Sequence, residues 1–485
     1  MPLFEYRAYS KHPAISMQAK VLVEEMLTGY RRKPSATRRS SLTKWMKTAV
    51  AALYLIGGYQ KGDVQIPMGR NHYKGSTRRS PMYQDELYDC LKWLVKSGYA
   101  EMTNPAHQNE TGKWTPAAYR LTRKWLDVAV QFCPYQARQE QIIQSITRNP
   151  DAPLIELRKD GKRMRLNHHP EKWLWLNRIK SYNSRLESHQ FRQNGELLPP
   201  VIFSLTRIFN DGSFNRGGRY YSTFQGFKSQ LRLFITIDNE PVVEVDYKGL
   251  HPSLLYQRAG LPEPTQDAYT IDGYPRKLVK KAFNILINRK KPAPATGSLI
   301  FYLNKNKQQY VDEKCPIAPT INKEYCVALE KAIRDHHKSI EHFFCTGIGL
   351  ELQNHDSLLC SHIFDYFLFK TDSIVLAVHD SFIVKQSDIP HLAEAIRYAE
   401  VTVAKELNTT YREPELETEI VTQIDNFDQL MTSAFGSSLD IKYTPESLIS
   451  ELLDNVNQEL ELAEDVLSFA DADADAVIDA EEPLN

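Results

Sequence analysis

Asp246 closes the apolar run VVEVDY, and Asp380 sits at the turn of LAVHDSFIV. Two carboxylates at the ends of buried strands suit one chemistry well. They can hold two divalent cations about 3.5–4 Å apart, one activating an attacking oxygen and the other neutralising a leaving pyrophosphate. Ligands for that work belong on rigid elements, and a buried acidic side chain needs a partner such as a metal. Taken singly, an Asp at a strand end reads as a turn former or helix cap; the pairing, with what lies between, favours chemistry. Glu244 shares a strand face with Asp246 and reads equally as support for the site or as a cross-strand charge partner.

The elements that must position these residues follow from periodicity and punctuation. Helical spacing covers residues 12–33 and 42–56, the latter closed by Gly57-Gly58, and an amphipathic helix is predicted over 82–96. A strand, a polar loop and a second strand come next, up to Thr122; helices followed by such a hairpin form a winged-helix-like pattern. Residues 125–200 read as mostly helical, with Pro199-Pro200 as a boundary. LFITI and VVEVDY are strand-like, helices are predicted over 275–288 and 325–369, and Ile374–Val384 reads as strand, turn and strand before a helix over 389–407. Strands, long helices and a hairpin in this order predict an α+β fold.

The chain has 485 residues, long enough for about two to four domains. Its 60 basic and 60 acidic residues are segregated. Residues 446–485 hold 13 acidic residues and no Lys or Arg, so the first 445 carry 60 basic against 47 acidic. Residues 1–150 alone carry 23 basic against 11 acidic, and GRNHYKGSTRR is a basic, turn-rich stretch. A basic body predicts a polyanion partner, and the acidic end a solvated tail. There is no apolar run long enough for a membrane span and no secretory signal pattern. Six cysteines without a C-x-x-C pair (90, 133, 315, 326, 345, 360) read as reduced core thiols of a cytoplasmic protein.

Four segments, in order, resemble the palm and fingers of family A DNA polymerases and the related single-subunit phage RNA polymerases. GGRYYSTFQGFKSQLRLFITI resembles the primer–template stretch T-G-R…S…Q…I-R-x-x-F, with Gly218-Arg219 and Arg232 on its Gly-Arg and second Arg. VVEVDYKGLHPSLL resembles motif A, which implies Asp246 and the Tyr247 carbonyl as metal ligands. RKLVKKAFNILIN resembles motif B, which implies that Lys277 and Lys281, four apart on one helix face, meet the incoming triphosphate. LAVHDSFIV resembles motif C, with His379-Asp380-Ser381-Phe382 nearest the RNA polymerase version; upstream, ELQNHDSLLCSHIFDYFL implies that Gln353 touches the minor groove. The likeness spans residues 207–388 and departs at motif B, where Ile285 and Arg289 replace an aromatic residue and a Tyr. At the position that screens the sugar 2′-hydroxyl stands His251. No paired-acid exonuclease pattern appears in the first 200 residues. Lys280 adjoins Lys281 and could take its place. Arg219 is read as functional, Tyr220-Tyr221 as core in preference to base-stacking groups, Asp356 as capping or exposed in preference to orienting Gln353 or His379, and His355 and His362 as no metal pair.

The resemblance implies a polymerase right-hand palm with helical fingers after a mostly helical, winged-helix-like N-terminal domain. Its parts would be a basic nucleic-acid-binding domain at 1–125, a helical reduced thumb gripping duplex at 126–200, palm and fingers at 201–440, and an acidic flexible tail at 441–485. It implies a template-directed DNA polymerase of compact, exonuclease-free type, of the kind that serves phage, plasmid or mobile-element replication. Asp246, Asp380 and Lys281 would be catalytic, with two Mg²⁺ (or Mn²⁺) held by Asp246, Tyr247 and Asp380. Lys277, Lys281, Tyr247, His251 and Ile285 would meet the nucleoside triphosphate, and Arg219, Arg232, Gln353 and His379 the DNA primer and template. The same residues leave open an RNA polymerase or primase, a catalytically inactive DNA-binding initiator or regulator, and a template-free terminal transferase.

Overall fold

Short apolar segments, each closed by a sharp turn, decide the architecture. The computed structural model describes residues 7–30, 32–55, 64–65, 85–108, 114–115, 117–132, 136–166, 169–262, 264, 266–305, 307–310, 319–409, 411, 414, 416–420 and 439–443. The basic stretch at 69–79, Cys133, Cys315 and residues 444–485 of the acidic tail lie outside them, while 441–443 of that expected tail are part of a strand.

β1 (Ala8–Tyr9) leads into α1 (Pro13–Thr28), where the His12 ring accepts from the Ala14 N–H and Pro13 occupies the first turn. α2 (Ala36–Leu55) buries Leu42, Trp45 and Met46 and then every residue from Thr48 to Leu55, so its second half is enclosed on all sides. β2 (Val64–Gln65), α3 (Asp85–Lys96), β3 (Ala100–Asn104), β4 (His107–Gln108), β5 (Trp114–Thr115) and β6 (Ala118–Leu121) follow. β6 runs antiparallel between β2 and β3, and β4 pairs with β5. The helix-then-hairpin order read from the sequence is therefore present. α4 (Arg123–Phe132) and α5 (Gln136–Gln144) precede β7 (Thr147–Arg148), which pairs with β1.

The expectation of a mostly helical stretch to residue 200 is corrected. β8 (Ile155–Lys159) and β9 (Lys162–Arg163) form a hairpin, α6 (Lys172–Leu186) follows, and β10 (Phe191–Gln193) with β11 (Glu196–Leu198) forms another. Both hairpins reverse at left-handed pairs, Asp160-Gly161 (φ 49° and 66°) and Asn194-Gly195 (φ 50° and 80°). Asp-Gly and Asn-Gly are the strongest two-residue hairpin signals. Pro200–Phe203 is a buried 3₁₀ turn that packs into the core.

β12 (Thr206–Phe209) lies between β8, to which it is parallel, and β13 (Gly217–Tyr221), to which it is antiparallel. After α7 (Ser229–Arg232), β14 (Ile235–Ile237) and β15 (Glu240–Tyr247) begin the main sheet. Helices α8 (Leu250–Arg258), α9 (Arg276–Asn288), α10 (Thr296–Asn304), α11 (Lys323–His336) and α12 (Gly349–Lys370) follow. The single helical span expected from 325 to 369 is broken, because a 3₁₀ turn at Lys338–Phe343 and left-handed Cys345 (φ 62°) and Gly347 (φ 74°) intervene. β16 (Leu376–Val378), β17 (Ser381–Lys385), α13 (Ile389–Glu406), β18 (Leu416–Ile420) and β19 (Leu439–Tyr443) complete the described chain.

The main sheet runs β11-β10-β14-β15-β17-β16, and β18, carrying β19, pairs with β15 on the edge opposite β17. Val242, Val243 and Val245 of β15 and Phe382–Val384 of β17 are buried. α12 packs against α6, α8, α9, α13 and β13 and is buried on most of its circumference, with Gln353, Asp356, Ser357 and Ser361 among its buried residues. The fold is α+β. Cys90, Cys326, Cys345 and Cys360 are buried free thiols, and no described helix is long and apolar enough to cross a membrane.

Gly218, the glycine of the Gly-Arg pair, has φ +84°, and a Cβ there would lie 2.7 Å from Phe209 Cε1 and 3.1 Å from Asn354 Nδ2. Left-handed strain and overpacking together should cost Gly218→Ala about 2–4 kcal/mol of stability. Urea unfolding followed by circular dichroism checks this, and an unchanged midpoint would contradict the packing.

Candidate functional site

The register of β15 against β17 decides whether the two aspartates meet. Asp246 lies opposite Ser381, and the Tyr247 N–H donates to the Asp380 carbonyl at 3.3 Å. Asp246 at the end of β15 and Asp380 at the tip of the β16–β17 hairpin are therefore cross-strand neighbours, both half-buried. The hairpin reverses in two residues, with His379 in the left-handed region at φ 60°, where a residue with a Cβ is uncommon.

Glu244, one pleat behind Asp246, is a charge partner and no free ligand. It accepts two bonds from Arg232 (2.6 and 3.1 Å) and one from the Ser381 hydroxyl (2.5 Å). The Arg232 guanidinium also donates to the Phe227 carbonyl at 3.0 Å. Arg232, expected on primer or template, is thus tied to the sheet.

Arg219, at the middle of β13, projects to the same region. Its Nε and Nη2 donate to one Asp356 oxygen at 2.9 and 2.5 Å. The His251 Nε2 stands 3.3 Å from Arg219 Nη2 and 3.5 Å from the same Asp356 oxygen. The expectation of a capping or exposed Asp356 is corrected: it is 3% exposed on α12, and its other oxygen has no hydrogen-bond partner among the described residues. Burial pushes this carboxyl up, but Arg219 and His251 outweigh burial and hold it below its ordinary value. His251 therefore faces this ion pair. The Arg219 charge also acts on Asp380 and on His379, whose pKa falls to about 4, through burial first and Arg219 second. The Tyr221 ring meets His379 edge-on at 5.8 Å, while Tyr220 is core and bonds Ser361 at 2.8 Å. Gln353, one turn before Asp356, is buried.

On α9 the apolar face is Leu278, Val279, Ala282, Phe283, Leu286 and Ile287. That leaves Lys277 exposed and Lys281 and Ile285 half-buried on the other side, at successive four-residue steps. Arg289 ends the helix by donating to Ser298 Oγ at 2.7 Å and to the Lys291 carbonyl. His362 pairs with Glu406 at 3.1 Å, and no cluster of three or more His, Cys, Asp or Glu suited to a metal occurs among the described residues.

Tyr269 was not singled out from the sequence. It is 3% exposed, packs edge-on against Phe283, and lies under the Arg276 and Lys280 cations at 5.5 and 5.8 Å. Its phenol is pushed up by burial and then by Asp380, with Asp246 adding to the shift. It packs on the basic helix α9, and its position in a loop without periodic signal kept it hidden. The adjacent Asp267 pairs with Arg276 and accepts from the Tyr269 N–H at 2.9 Å. One residue on, the Ala268 carbonyl accepts from His337 Nε2 at 2.8 Å, while His337 Nδ1 accepts from the Tyr256 hydroxyl at 3.1 Å.

No protein-family model matches the chain, and no curated protein matches it. Among solved structures it is similar to the polymerase domain of Pol1 from M. smegmatis, in a complex with DNA primer-template and dNTP. The identity is 11%, the match covers 84% of this chain and 69% of that one, and the TM-score is 0.26, too low to carry an argument.

His337 is fully buried and neutral, its pKa lowered from 6.5 to about 4, chiefly by burial. Between those two values the unfolded chain binds the proton and the folded chain does not, so stability falls as the pH drops through this window. The loss should be about 2 kcal/mol between pH 6.5 and 5. His337→Gln, which keeps a donor for Ala268, should flatten that part of the stability profile in urea titrations. Equal slopes for both proteins would contradict it.

Proposed function

We propose that this chain is a template-directed nucleotidyltransferase, a DNA polymerase of compact type, extending a nucleic acid 3′ end from nucleoside triphosphates. The observation that carries the reading is the cross-strand placement of Asp246 beside Asp380, more than a hundred residues apart in sequence. A structural aspartate would need only its own turn. Two of them, half-buried side by side at one end of a sheet, would suit shared divalent cations.

The donor set fits magnesium. Two carboxylates and the Tyr247 carbonyl are hard oxygen donors, and Mg²⁺ is commonly held by one or two carboxylates with water and substrate phosphates completing its shell. Bound there, the ions would supply charge neutralisation for the attacking 3′ oxygen and the departing pyrophosphate. The protein's own groups do the rest. Lys277 and Lys281 would take the triphosphate on the polar face of α9, and Lys280 over Tyr269 stands close enough to share that work. Arg219, engaged by Asp356, would act as a fixed positive charge behind Asp380 and His379, in place of a grip on phosphate. Burial keeps the His379 ring neutral, so it adds no charge to an already balanced site. Preorganised charge of this kind is the main catalytic resource in phosphoryl transfer.

Asp246→Asn or Asp380→Asn should abolish Mg²⁺-dependent extension of a labelled primer on a DNA template, by at least about a thousandfold. Binding of the primer–template should stay within a few-fold of wild type in a gel-shift assay. Synthesis retained by either variant rejects the site, and parallel reactions with dNTPs and rNTPs decide the sugar. Asp356→Asn removes the partner of a buried guanidinium and should destabilise the fold by about 3–5 kcal/mol in urea unfolding. A loss below 1 kcal/mol would show that Arg219 does not rely on it.

A further inference from the structure

α6 opens with two apolar side chains in water. Trp173 is 72% exposed and Leu174 46%, although Trp175 beside them is buried. Together the two side chains make a small apolar patch beside lysines on an ordered helix, and an apolar patch with a polar rim is a feature of contact surfaces. The buried Trp175 beside it packs on the β12–β13 turn. Phe214 in that turn meets His169 at 5.0 Å and Trp175 at 5.5 Å, and His169 stacks on Trp175 at 4.5 Å. On the other side of the turn, a Cβ on Gly212 would lie 3.2 Å from Met164 Sδ and 3.6 Å from Lys159 Cδ. The β8–β9 hairpin and the start of α6 therefore flank one loop. Met164 is 40% exposed there.

The cations of this region divide into two sets. Arg158 and Arg163 pair with Glu156, Arg178 with Asp365, and Arg185 donates to three backbone carbonyls. The side chains of Lys159, Lys162, Arg165, Lys172 and Lys180 have no partner among the described residues. Lys180 is two turns from Trp173 on the same helix face. Asp160 and Glu171 are the acids within 157–185, so the surface is strongly positive.

We propose that this surface binds single-stranded nucleic acid, a base stacking on Trp173 while the lysines and Arg165 track the phosphates. Aromatic platforms inside a positive groove are the physics of single-strand binding. In a duplex the base faces are already stacked on one another, so an exposed indole gains little from it. The site replaces the duplex-gripping role expected for residues 126–200. It rests on the reading that the chain handles nucleic acid strands, but not on Asp246 and Asp380 being catalytic.

The test uses the full-length chain and fluorescence anisotropy with labelled dT20 and a blunt 20-base-pair duplex. Trp173→Ala should weaken dT20 binding about tenfold or more, stacking being worth about 1–3 kcal/mol per base. Trp173→Phe should restore most of it, and the duplex affinity should stay within twofold. Equal dT20 affinity for wild type and Trp173→Ala, or equal losses on both ligands, overturns the proposal. Asp246→Asn should bind dT20 as wild type does. If the wild-type protein binds dT20 through Trp173 yet extends no primer, the surface stands and the polymerase reading falls.

Discussion

A slip of one residue between β15 and β17 would turn Asp246 to the opposite face of the sheet and leave Asp380 alone at its hairpin. The pairing is held in register from both directions. The apolar sets of Val242, Val243 and Val245, and of Phe382, Ile383 and Val384, must be buried together, and the two-residue turn at His379-Asp380 allows no slack. The Tyr247 N–H to Asp380 carbonyl bond closes the ladder next to the carboxylates. Hydrophobic burial several residues away thus determines where two charges stand.

The charges then have to be tolerated. Arg219 with Asp356, Arg232 with Glu244 and Arg178 with Asp365 place buried ion pairs around the apolar core. Arg207 goes further: it is 1% exposed, bonds the Gly218 carbonyl and Ser357, and lies among Trp175, Phe209 and Tyr220 at 4.8–5.1 Å. Cation–π contacts partly replace its lost hydration. Such pairs contribute little net stability against apolar replacements, because desolvation offsets their attraction. Their value here is orientation: Arg219 and Arg232 are fixed against α12 and β15, while Arg178 and Arg207 tie α6 and β12 to α12.

The sheet was legible in the sequence wherever apolar runs were long. VVEVDY and LAVHDSFIV announced β15 and the β16–β17 hairpin, and α9 and α13 followed from strong helical periodicity. The hairpins at 155–163 and 191–198 were not seen because their strands are two to five residues long, too short for alternation to show, although Asp160-Gly161 and Asn194-Gly195 were visible signals. The break before α12 was hidden because Cys345 takes a left-handed conformation that its residue type does not advertise. Of the candidate site, the cross-strand placement of the two aspartates could be anticipated from their setting. The partners of Arg219, Arg232 and Glu244 could not, since those bonds join β13, α7, α8, α12 and β15, a matter of tertiary geometry alone. Tyr269 carried no local pattern at all.

β18 has a bearing on how the chain can be divided. Residues 416–420 return after α13 to cover the edge of β15 away from β17, from Val243 to Tyr247. Cutting the chain ahead of Leu416 would strip that edge and leave a bare row of amide and carbonyl groups on the strand that carries Asp246. Such an edge recruits strands from other molecules. Residues 416–420 therefore belong with the sheet they complete, although they follow the last helix of the described chain.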